Sequence, residues 1–457
     1  MHKTVVIDIV GLSESVIAND TPFIKEYKER HHFSRIRPPF PALTTSSQST
    51  YVTGQSPAQH GIVGNGWYDR IEAEVKFWKQ SDKLVSAPKI WENARKKNPE
   101  FTCSKMFWWY NMYSDVEFSA TPRPQYRADG VKAPDCYTHP GSLRDELQEK
   151  LGTFPLFNFW GPGANIKSSK WIAEASMIVD QKHDPTLTLI YLPHLDYALQ
   201  KYSHNDPRSQ ESLREIDDLV KKLVQYYEEK KARVILLSEY GINPVDQPIH
   251  LNRVFRQKGW IAIREENGKE LLDAGASRAF VVADHQIAHV YINDMGIYEE
   301  VKEVLQGTPG IRKVLDEQGK EEFQVNHERA GDLVLIAEDN AWFSYYYWND
   351  DSRAADFART VQIHKKPGYD PIEMFFDESN PFIKARGAYK LLRKKLGFRY
   401  ILDVISLDAK LLKGSHGSPL VPKEFHPVCI SNTPLPGEEI APQGVYDVMW
   451  KSLFDDV

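Results

Sequence analysis

Five short runs dominated by apolar residues most constrain what this chain can fold into. They are Thr4–Val10, Leu187–Leu192, Val234–Leu237, Leu333–Ile336 and Val428–Ile430. Short apolar runs without alternation are typical of strands that are buried on both faces. Between the second and third runs, the segment Leu213–Tyr227 repeats apolar residues at the spacing of an amphipathic helix. This alternation predicts an α/β fold, with a doubly wound, mostly parallel sheet flanked by helices.

The stretch from Pro248 to Tyr346 has a different pattern. It combines two short strand-like runs, Val281–Asp284 and Ala288–Ile292, with a helical pattern around Met295–Leu305. A chain of 457 residues is long enough for one large core and a smaller domain. We therefore predict an inserted α+β cap domain at residues 248–346, within a catalytic core made of residues 1–247 and 347–457.

Composition excludes several classes of protein. The formal net charge is −6, so the chain has no global positive field with which to hold a nucleic acid polymer. No apolar run reaches the roughly 18 residues needed to span a bilayer, so no membrane partner is expected. Met1–Lys3 leads directly into the first strand without a signal peptide, which favours a cytoplasmic location. The three cysteines lie far apart and are expected to be small buried apolar residues.

Three carboxylates follow predicted strands at the end where ligands bind in open α/β sheets. Asp8 ends the first strand, Asp196 follows the second run and Glu239 follows the third. Three converging carboxylates repel one another unless a cation lies between them, and oxygen ligands suit Mg, Mn or Zn. A single Asp at a strand end is more often a turn former or helix cap, so the hypothesis rests on the three together.

The segment from Phe40 to Asn65 allows two interpretations. Thr44, Thr45 or Ser46 can cap a following helix by accepting a hydrogen bond from its backbone. A hydroxyl at a helix N-terminus is also well placed to meet a phosphate and, once activated by a metal, to attack it.

The same segment resembles a known family. The motifs F-P-x-x-T, V-T-G and H-G-I-V-x-N stand here in order, as Phe40–Thr44, Val52–Gly54 and His60–Asn65. They are similar to the nucleophile segment of nucleotide pyrophosphatase/phosphodiesterases, in the alkaline phosphatase superfamily. Phosphonoacetate hydrolases of that superfamily are similar in their cap and in a closing His-Gly motif, which stands here as Gly414-Ser415-His416-Gly417. The resemblance extends over most of the chain.

On this resemblance, Thr44 falls on the nucleophile and Asn65, 21 positions later, on the asparagine that binds a phosphoryl oxygen. The implied metal ligands are Asp8, Thr44, Asp196, Glu239, His416 and Gln200. The resemblance implies one or two divalent ions, Zn or, given the oxygen-rich site, Mn or Mg.

Three positions in two motifs depart from the family pattern. Where the family has Asp-x-x-x-His, the chain has Asp196 and Gln200. Where the family has Ser-Asp-His-Gly, the chain has Ser238-Glu239-Tyr240-Gly241. Tyrosine is a poor zinc ligand unless it is ionised, and its ordinary pKa is about 10.

These exchanges leave three hypotheses open. The chain is an active enzyme with an altered or single-metal site, or an enzyme that recruits other histidines such as His285, His289 or His364, or a protein that binds without turnover. Tyr240, His285 and His364 are also candidates for the substrate pocket, together with Asn65. Lys365 and Lys366 are expected to be surface charges, and the alternative is that they contact a second anionic group.

The function that follows from the resemblance is hydrolysis of a phosphodiester or pyrophosphate bond in a small phosphorylated substrate, through a phospho-threonine intermediate. The alternative is a catalytically impaired member that binds a phosphorylated or phosphonate ligand.

Overall fold

The structure is a computed structural model that describes residues 1–128 and 131–455. Its strands are β1 Thr4–Ile9, β2 His32–Ile36, β3 Gly66–Asp69, β4 Glu74–Phe77, β5 Cys103–Met106, β6 Phe118–Pro122, β7 Gln125–Tyr126, β8 Lys132–Ala133, β9 Cys136–His139, β10 Leu187–Leu192, β11 Arg233–Leu237, β12 Asn243–Pro244, β13 Gln247–Ile249, β14 Ala262–Glu266, β15 Lys269–Asp273, β16 Ala279–Asp284, β17 Ile287–Ile292, β18 Ile311–Leu315, β19 Leu333–Ala337, β20 Ala341–Phe343, β21 Gly414–Ser415, β22 Val428–Ser431 and β23 Glu439–Ile440. Its α-helices are α1 Pro22–Arg30, α2 Thr44–Thr53, α3 Pro57–His60, α4 Ile90–Lys97, α5 Ser142–Leu151, α6 Leu156–Phe159, α7 Lys167–His183, α8 His194–Lys201, α9 Pro207–Glu229, α10 Leu251–Gln257, α11 Tyr298–Gln306, α12 Glu317–Glu322, α13 Ile383–Lys395 and α14 Gly444–Phe454.

The chain divides into two compact units. The first consists of residues 1–62, 80–243 and 419–457, and the second of residues 63–79 and 244–418. The predicted cap, 248–346, falls inside the second unit. That unit also takes in residues 63–79 and continues to 418, because these segments pair with or pack on elements of the second unit. For example, β3 and β4 form a hairpin that contacts β16.

The first unit is built on a nine-stranded sheet in the order β23-β2-β22-β11-β1-β10-β5-β6-β9. The five central strands, from β11 to β6, are parallel, while the outer pairs β11–β22, β2–β22 and β6–β9 are antiparallel. The predicted doubly wound, mostly parallel α/β sheet is confirmed. The strand predicted at Val428–Ile430 lies in this sheet but runs antiparallel to β11.

The sequence of the central strands explains their position. Every residue of β1 and β10 is buried, as expected for strands covered by helices on both faces. The helix α9 buries Leu213, Ile216, Leu219 and their neighbours along one stripe and packs on β11. The helix α7 packs on β10 and β5, and α14 packs on β1 and α2.

The second unit contains a four-stranded antiparallel sheet in the order β16-β17-β19-β18. The run Leu333–Ile336, which was predicted as one of the buried strands, lies here as β19 and is not part of the parallel sheet. Both kinds of sheet bury continuous apolar runs when both faces are covered, so the apolar pattern does not distinguish them.

Three smaller features of the structure concern the cysteines, an aromatic run and the helices. Cys103, Cys136 and Cys429 are buried and free. The aromatic run from Trp342 to Trp348 is buried, which fits a packing role. Among the helices of the described chain, none combines the length and the apolar character that a membrane crossing requires.

Candidate functional site

The first unit brings the three predicted carboxylates to one edge of its sheet. The strands β11, β1 and β10 are neighbours, and Asp8 in β1 pairs with Leu237 and Tyr191 on either side. Glu239 follows β11, while Asp196 lies in the first turn of α8, directly after β10. All three side chains are buried. The convergence predicted from the ends of the strands therefore occurs.

Close packing of the backbone holds these loops together. Gly11, just after β1, has a φ of +88°, and a Cβ there would lie 3.3 Å from Cα of Asp196. Gly241 leaves no room for a side chain, since a Cβ would overlap the carbonyl oxygen of Phe425 and lie 2.8 Å from Cβ of Ser13. The glycine after Tyr240 therefore fixes the position of the Glu239–Tyr240 turn.

Helix α2, which begins at Thr44, is polar yet completely buried. Its N-cap residue is Leu43, which makes no side-chain capping bond, and the first intrahelical bond runs from the Ser47 N–H to the Leu43 carbonyl. Thr44 is thus the first residue inside the helix and does not cap it. Its hydroxyl stands at the end of the helix where the leading N–H groups lack intrahelical acceptors and the dipole is positive.

Tyr240 contacts the predicted nucleophile directly. Its Oη lies 3.0 Å from Oγ1 of Thr44, and it also hydrogen-bonds the Asp196 carboxyl. Burial, with the nearby charges of Asp196 and Glu239, raises the pKa of Tyr240 well above its ordinary value. The phenol therefore remains protonated and acts as a hydrogen-bonding group between Thr44 and Asp196.

Gln48 is a site residue that the sequence analysis did not identify. Its Nε2 donates to Glu239 Oε1 at 2.5 Å and lies 3.5 Å from Asp8 Oδ2, while its Oε1 accepts from the Trp109 N–H at 2.5 Å. Gln48 stands four residues after Thr44, one turn along the same helix, and this spacing is the signal that could have identified it. Its amide joins the helix of Thr44 to the carboxylate pair.

The buried carboxyls resist ionisation in the absence of a cation. Burial, together with the charge of Glu239, raises the pKa of Asp8 well above its ordinary value. Burial likewise raises the pKa of Glu239 and of Asp196 to about 7, although hydrogen bonds from neighbouring side chains oppose the shift. Perturbed carboxyls grouped in this way are typical of functional sites.

Asp196 and Gln200 form a pair within α8. Gln200 Nε2 lies 3.0 and 2.9 Å from the two carboxylate oxygens of Asp196. In this orientation the donor side of Gln200 faces the carboxylate. The amide nitrogen that faces it cannot bind a cation. His194, at the start of the helix, has its Nε2 3.0 Å from Glu215.

The residues of the first unit fit a cation only in part. In the chain as described, no three or more His, Cys, Asp or Glu side chains are grouped as a metal site. However, Asp8 Oδ1 and Glu239 Oε2 are buried, and no N–H or hydroxyl group within residues 1–128 and 131–455 donates to them, while the two carboxyls hydrogen-bond each other when one is protonated. This carboxyl pair beside Thr44 fits one divalent cation in place of the shared proton, and oxygen ligands suit Mg or Mn. The pair does not supply the imidazoles of a zinc site.

In the second unit, Asn65, which was predicted to bind a phosphoryl oxygen, donates hydrogen bonds to a buried carboxylate. The Asn65 N–H donates to Asp284 Oδ2 at 2.8 Å, and its Nδ2 donates to Oδ1 at 3.2 Å. Asp284 Oδ1 also lies 2.8 Å from His285 Nδ1. Burial raises the pKa of Asp284 to about 7, and these hydrogen bonds from Asn65 lower it again in part. Asp284 was not identified from the sequence as more than the end of a strand.

His285 and His416 lie side by side in this unit. Their ring centroids are 3.8 Å apart, and the His285 ring stacks on Tyr369 at 3.6 Å. His285 has a φ of +61° in the turn between β16 and β17, a conformation that is uncommon for a residue with a side chain. Burial keeps the pKa of His285 well below its ordinary value, so the imidazole is neutral.

The other candidate histidines are bound to the backbone. His289 Nε2 contacts the Val63 carbonyl at 2.9 Å, and its Nδ1 accepts from the Gly331 N–H at 3.1 Å, which leaves no nitrogen for a metal. His364 is exposed, with its Nδ1 3.0 Å from the Phe77 carbonyl.

Lys366, which was expected to be a surface charge, is buried in ion pairs with Asp370 at 2.7 Å and Glu373 at 2.8 Å. The surface interpretation is wrong for this lysine, because two acidic groups nearby in the chain neutralise it.

Comparison with known proteins gives the same assignment. The family model described as "Type I phosphodiesterase / nucleotide pyrophosphatase" matches residues 4–370. A pyrophosphatase/phosphodiesterase of Schizosaccharomyces pombe, itself uncharacterised, is 24% identical over 260 residues, which are 52% of this chain and 46% of that protein. Ectonucleotide pyrophosphatase/phosphodiesterase 1 of Saccharomyces cerevisiae is 26% identical over 267 residues, 54% of this chain and 34% of that protein. The match thus spans less than half the length of these relatives.

Solved structures share the fold. Phosphonoacetate hydrolase of Sinorhizobium meliloti, in complex with phosphonoacetate, superposes with a TM-score of 0.63 at 14% identity, covering 99% of this chain and 96% of that one. An inactive variant of murine ectonucleotide pyrophosphatase/phosphodiesterase 5, in complex with AMP, gives a TM-score of 0.57 at 13% identity, covering 99% and 95%. With four-fifths of the chain matched by the family model, the chain belongs to the type I phosphodiesterase/nucleotide pyrophosphatase family.

Proposed function

We propose that this chain hydrolyses a phosphodiester or pyrophosphate bond in a small phosphorylated substrate, with Thr44 as the nucleophile. The observation that carries the proposal is the placement of Thr44. Its hydroxyl is not used as a helix cap, stands at the N-terminus of α2, and contacts Tyr240 beside the buried pair of Asp8 and Glu239. A phospho-threonine intermediate follows from attack by this hydroxyl.

The chain's own residues account for the proton and the charge. Glu239 hydrogen-bonds the Thr44 hydroxyl and is placed to accept its proton as Oγ1 attacks phosphorus. The bond to the leaving oxygen breaks as the bond to Thr44 forms, and the leaving group departs with its electron pair. Tyr240 Oη orients Oγ1 from 3.0 Å. The leading N–H groups of α2 bind the phosphoryl oxygens. Water then attacks phosphorus, the bond from phosphorus to Oγ1 breaks, and Oγ1 takes the proton back from Glu239 as the phosphorylated product leaves with the protons of the water.

Asp8, Glu239 and Thr44 are the residues of the first unit that would hold a divalent cation. Such an ion would neutralise the carboxylates and lower the pKa of the attacking hydroxyl. Oxygen donors favour Mg or Mn over Zn at this position. Gln200 and His416 remain ligands predicted from the resemblance alone, and Asp196 remains one predicted from the resemblance and from its place after a strand.

The substrate class is proposed from the ligands of the structural relatives. The murine phosphodiesterase structure is a complex with AMP, and the hydrolase structures are complexes with phosphonoacetate or phosphonoformate. All three are small and carry a phosphate or phosphonate group. We propose the same class for this chain, with Asn65, Tyr240, His285 and His364 as candidates for substrate contact.

A second function, binding without turnover, is favoured by one observation. Gln200 and Tyr240 both engage Asp196 by hydrogen bonds, so two positions that carry metal-binding imidazoles in the family stabilise a carboxyl here. The chain would then bind a phosphorylated ligand and leave it intact.

One assay separates the two functions. Hydrolysis of bis(p-nitrophenyl) phosphate is measured for the wild type, Thr44→Ala and Thr44→Ser, with Zn, Mn and Mg each supplied. The catalytic proposal expects turnover by the wild type with at least one metal, loss by at least about 100-fold in Thr44→Ala, and partial activity in Thr44→Ser, which keeps a hydroxyl.

The matched control is Thr53→Ala, which removes a hydroxyl from the other end of α2, where it bonds the Ser49 carbonyl at 2.6 Å. Equal activity of Thr44→Ala and the wild type would refute the threonine mechanism. Absence of turnover by the wild type with every metal, combined with tight AMP binding, would establish the binding function instead.

A further inference from the structure

The surface of the second unit has one segment that the proposed chemistry does not use. Residues 382–401, here called the basic apolar segment, comprise α13 and the six residues after it, preceded by Phe382. Seven of the thirteen large apolar side chains exposed by the described residues lie in this segment, with 52 to 73% of each accessible. They are Phe382, Tyr389, Leu391, Leu392, Leu396, Phe398 and Ile401.

The helix of this segment carries its apolar stripe on the solvent side. Its inner side is marked by the buried Ile383 and by Gly387, whose Cβ position lies 3.7 Å from Val404. On the outer side, exposed residues recur at helical spacing: Ala385, Ala388, Tyr389, Leu392 and Leu396. A surface helix ordinarily turns its apolar stripe toward the core. The reverse orientation leaves an apolar face without a partner in the described chain.

The helix ends in a way that extends this face. The N–H of Gly397 bonds the Lys394 carbonyl and the N–H of Phe398 bonds the Arg393 carbonyl, both at 3.0 Å. Gly397 has a φ of +80°, the left-handed conformation that commonly ends helices. After this turn, the exposed Phe398 follows the apolar stripe directly in the sequence.

The charge of the segment is strongly positive. Between Phe382 and Ile401 there are seven lysines and arginines and no acidic residue, in a chain whose formal net charge is −6. Asp403 forms ion pairs with Arg386 and with Lys390, the latter at 3.4 Å. Lys384, Lys395 and Arg399 are exposed. On a helical projection, Lys384 and Lys395 border the apolar stripe.

An apolar stripe bordered by basic side chains fits an anionic lipid surface. The apolar residues enter the boundary between headgroups and acyl chains, while lysines and arginines contact lipid phosphates and carboxylates. A second copy of the chain would bring two strongly positive segments together, which is unfavourable. A nucleic acid backbone would match the charge but would leave the apolar stripe in water.

We propose that the basic apolar segment docks this protein on the surface of a bilayer that contains anionic phospholipid. The helix lies in the plane of the interface, which requires no membrane-spanning helix. The expectation of no membrane partner rested on the absence of a long apolar run, and that criterion does not detect a surface helix.

Vesicle sedimentation tests the proposal with the full chain. Binding is compared for vesicles of phosphatidylcholine alone and vesicles in which about a third of the lipid is phosphatidylserine. The wild type is expected to sediment with the anionic vesicles only, and to be released as salt is raised. Leu392→Ser with Leu396→Ser is expected to weaken binding by at least about tenfold, because the apolar stripe is lost. Lys384→Ala with Lys395→Ala is expected to weaken it by about the same factor.

The controls match each change at other exposed sites of the same unit. Ile71→Ser removes an apolar side chain that is 98% exposed, and Lys258→Ala removes an exposed lysine. Both are expected to bind like the wild type. Since all four residues of the test variants are exposed, circular dichroism should show unchanged folding.

Four outcomes would overturn the proposal. The first three are absence of binding to anionic vesicles, binding that the paired variants do not reduce, and a dimer in sedimentation velocity that Leu392→Ser with Leu396→Ser dissociates. The third result would identify a second copy as the occupant. Preferential capture of the segment by single-stranded RNA over vesicles would likewise reject the lipid surface.

Discussion

At the scale of single residues, two side chains at the candidate site of the first unit each hydrogen-bond two neighbouring side chains. Gln48 links the two carboxylates of Asp8 and Glu239, and Tyr240 links Thr44 to Asp196. Neither residue ionises easily, so each holds its neighbours by hydrogen bonds alone. The amide and the phenol therefore position the acidic groups without adding charge to a crowded site.

Replacement of Gln48 by Leu should test this bridging role. The change keeps the volume of the side chain but removes the donor to Glu239 and the acceptor for the Trp109 N–H. We expect a loss of about 1–3 kcal/mol in the free energy of unfolding, because buried partners are left unpaired. We also expect weaker activation by Mn in the hydrolysis assay, since the carboxylate pair loses its orientation.

The matched variant for Gln48→Leu is Ser49→Ala, one position further along the helix. Its buried Oγ has no hydrogen-bond partner among the residues described. Calorimetry of Mn binding should show reduced affinity in Gln48→Leu and unchanged affinity in Ser49→Ala. If Gln48→Leu bound Mn with the affinity of the wild type, the proposed role of Gln48 in the site would be wrong.

At the scale of elements, the site depends on turns that follow parallel strands. The turn after β11 delivers Glu239 and Tyr240, and it is held by the close approach of Gly241 to Ser13 and to the Phe425 backbone. Ser238 strengthens this arrangement, because its Oγ donates to the Leu12 carbonyl at 2.6 Å and accepts from the Val428 N–H at 3.0 Å. The position of the acidic residue is therefore set by backbone packing two residues away from it.

Gly241→Ala should displace this turn. The added methyl group would meet a carbonyl oxygen that cannot rotate away, so the backbone itself must shift. We expect destabilisation of about 1–3 kcal/mol in denaturant unfolding, together with reduced hydrolysis of bis(p-nitrophenyl) phosphate. Gly437→Ala is the control, because no atom lies within 4 Å of its Cβ position. Equal unfolding midpoints for the two variants would contradict the proposed constraint.

At the scale of the whole molecule, the buried carboxyls link stability to pH. Burial raises the pKa of Glu239 to about 7 in the folded protein, above the value of about 4.3 for an exposed glutamate. The folded state therefore binds the proton more tightly than the unfolded state. The contribution of Glu239 to the free energy of unfolding is fully present below about pH 4.3. It falls by about 3 kcal/mol as the pH rises through 7.

Glu239→Gln should remove this dependence. In EDTA, the melting temperature of the wild type is expected to fall between pH 5.5 and 8.5 by more than that of the variant. Comparison of the two proteins cancels the titration of groups that are distant from Glu239, whereas the pKa values of Asp8 and Asp196 also fall when the charge of Glu239 is removed. Addition of Mn at pH 8.5 should raise the wild-type melting temperature, because a ligand that binds only the folded state stabilises it. Parallel melting curves across this pH range would show that Glu239 is not the titrating group.

The sequence by itself determined the parallel sheet and indicated the candidate site residues. Apolar runs such as β1 and β10 can be recognised locally, since a strand buried on both faces needs no polar position. Asp8, Asp196 and Glu239 could be placed because the ends of parallel strands meet at one edge, and Thr44 and Asn65 because their motifs resemble a known family. Only the tertiary structure decided that β19 belongs to an antiparallel sheet, that Gln48 bridges two carboxylates, that Asp284 holds Asn65 and that α13 exposes its apolar stripe. These features depend on contacts between residues that are distant in the chain, and the local pattern is the same whichever partner a strand, an amide or a helix face finds.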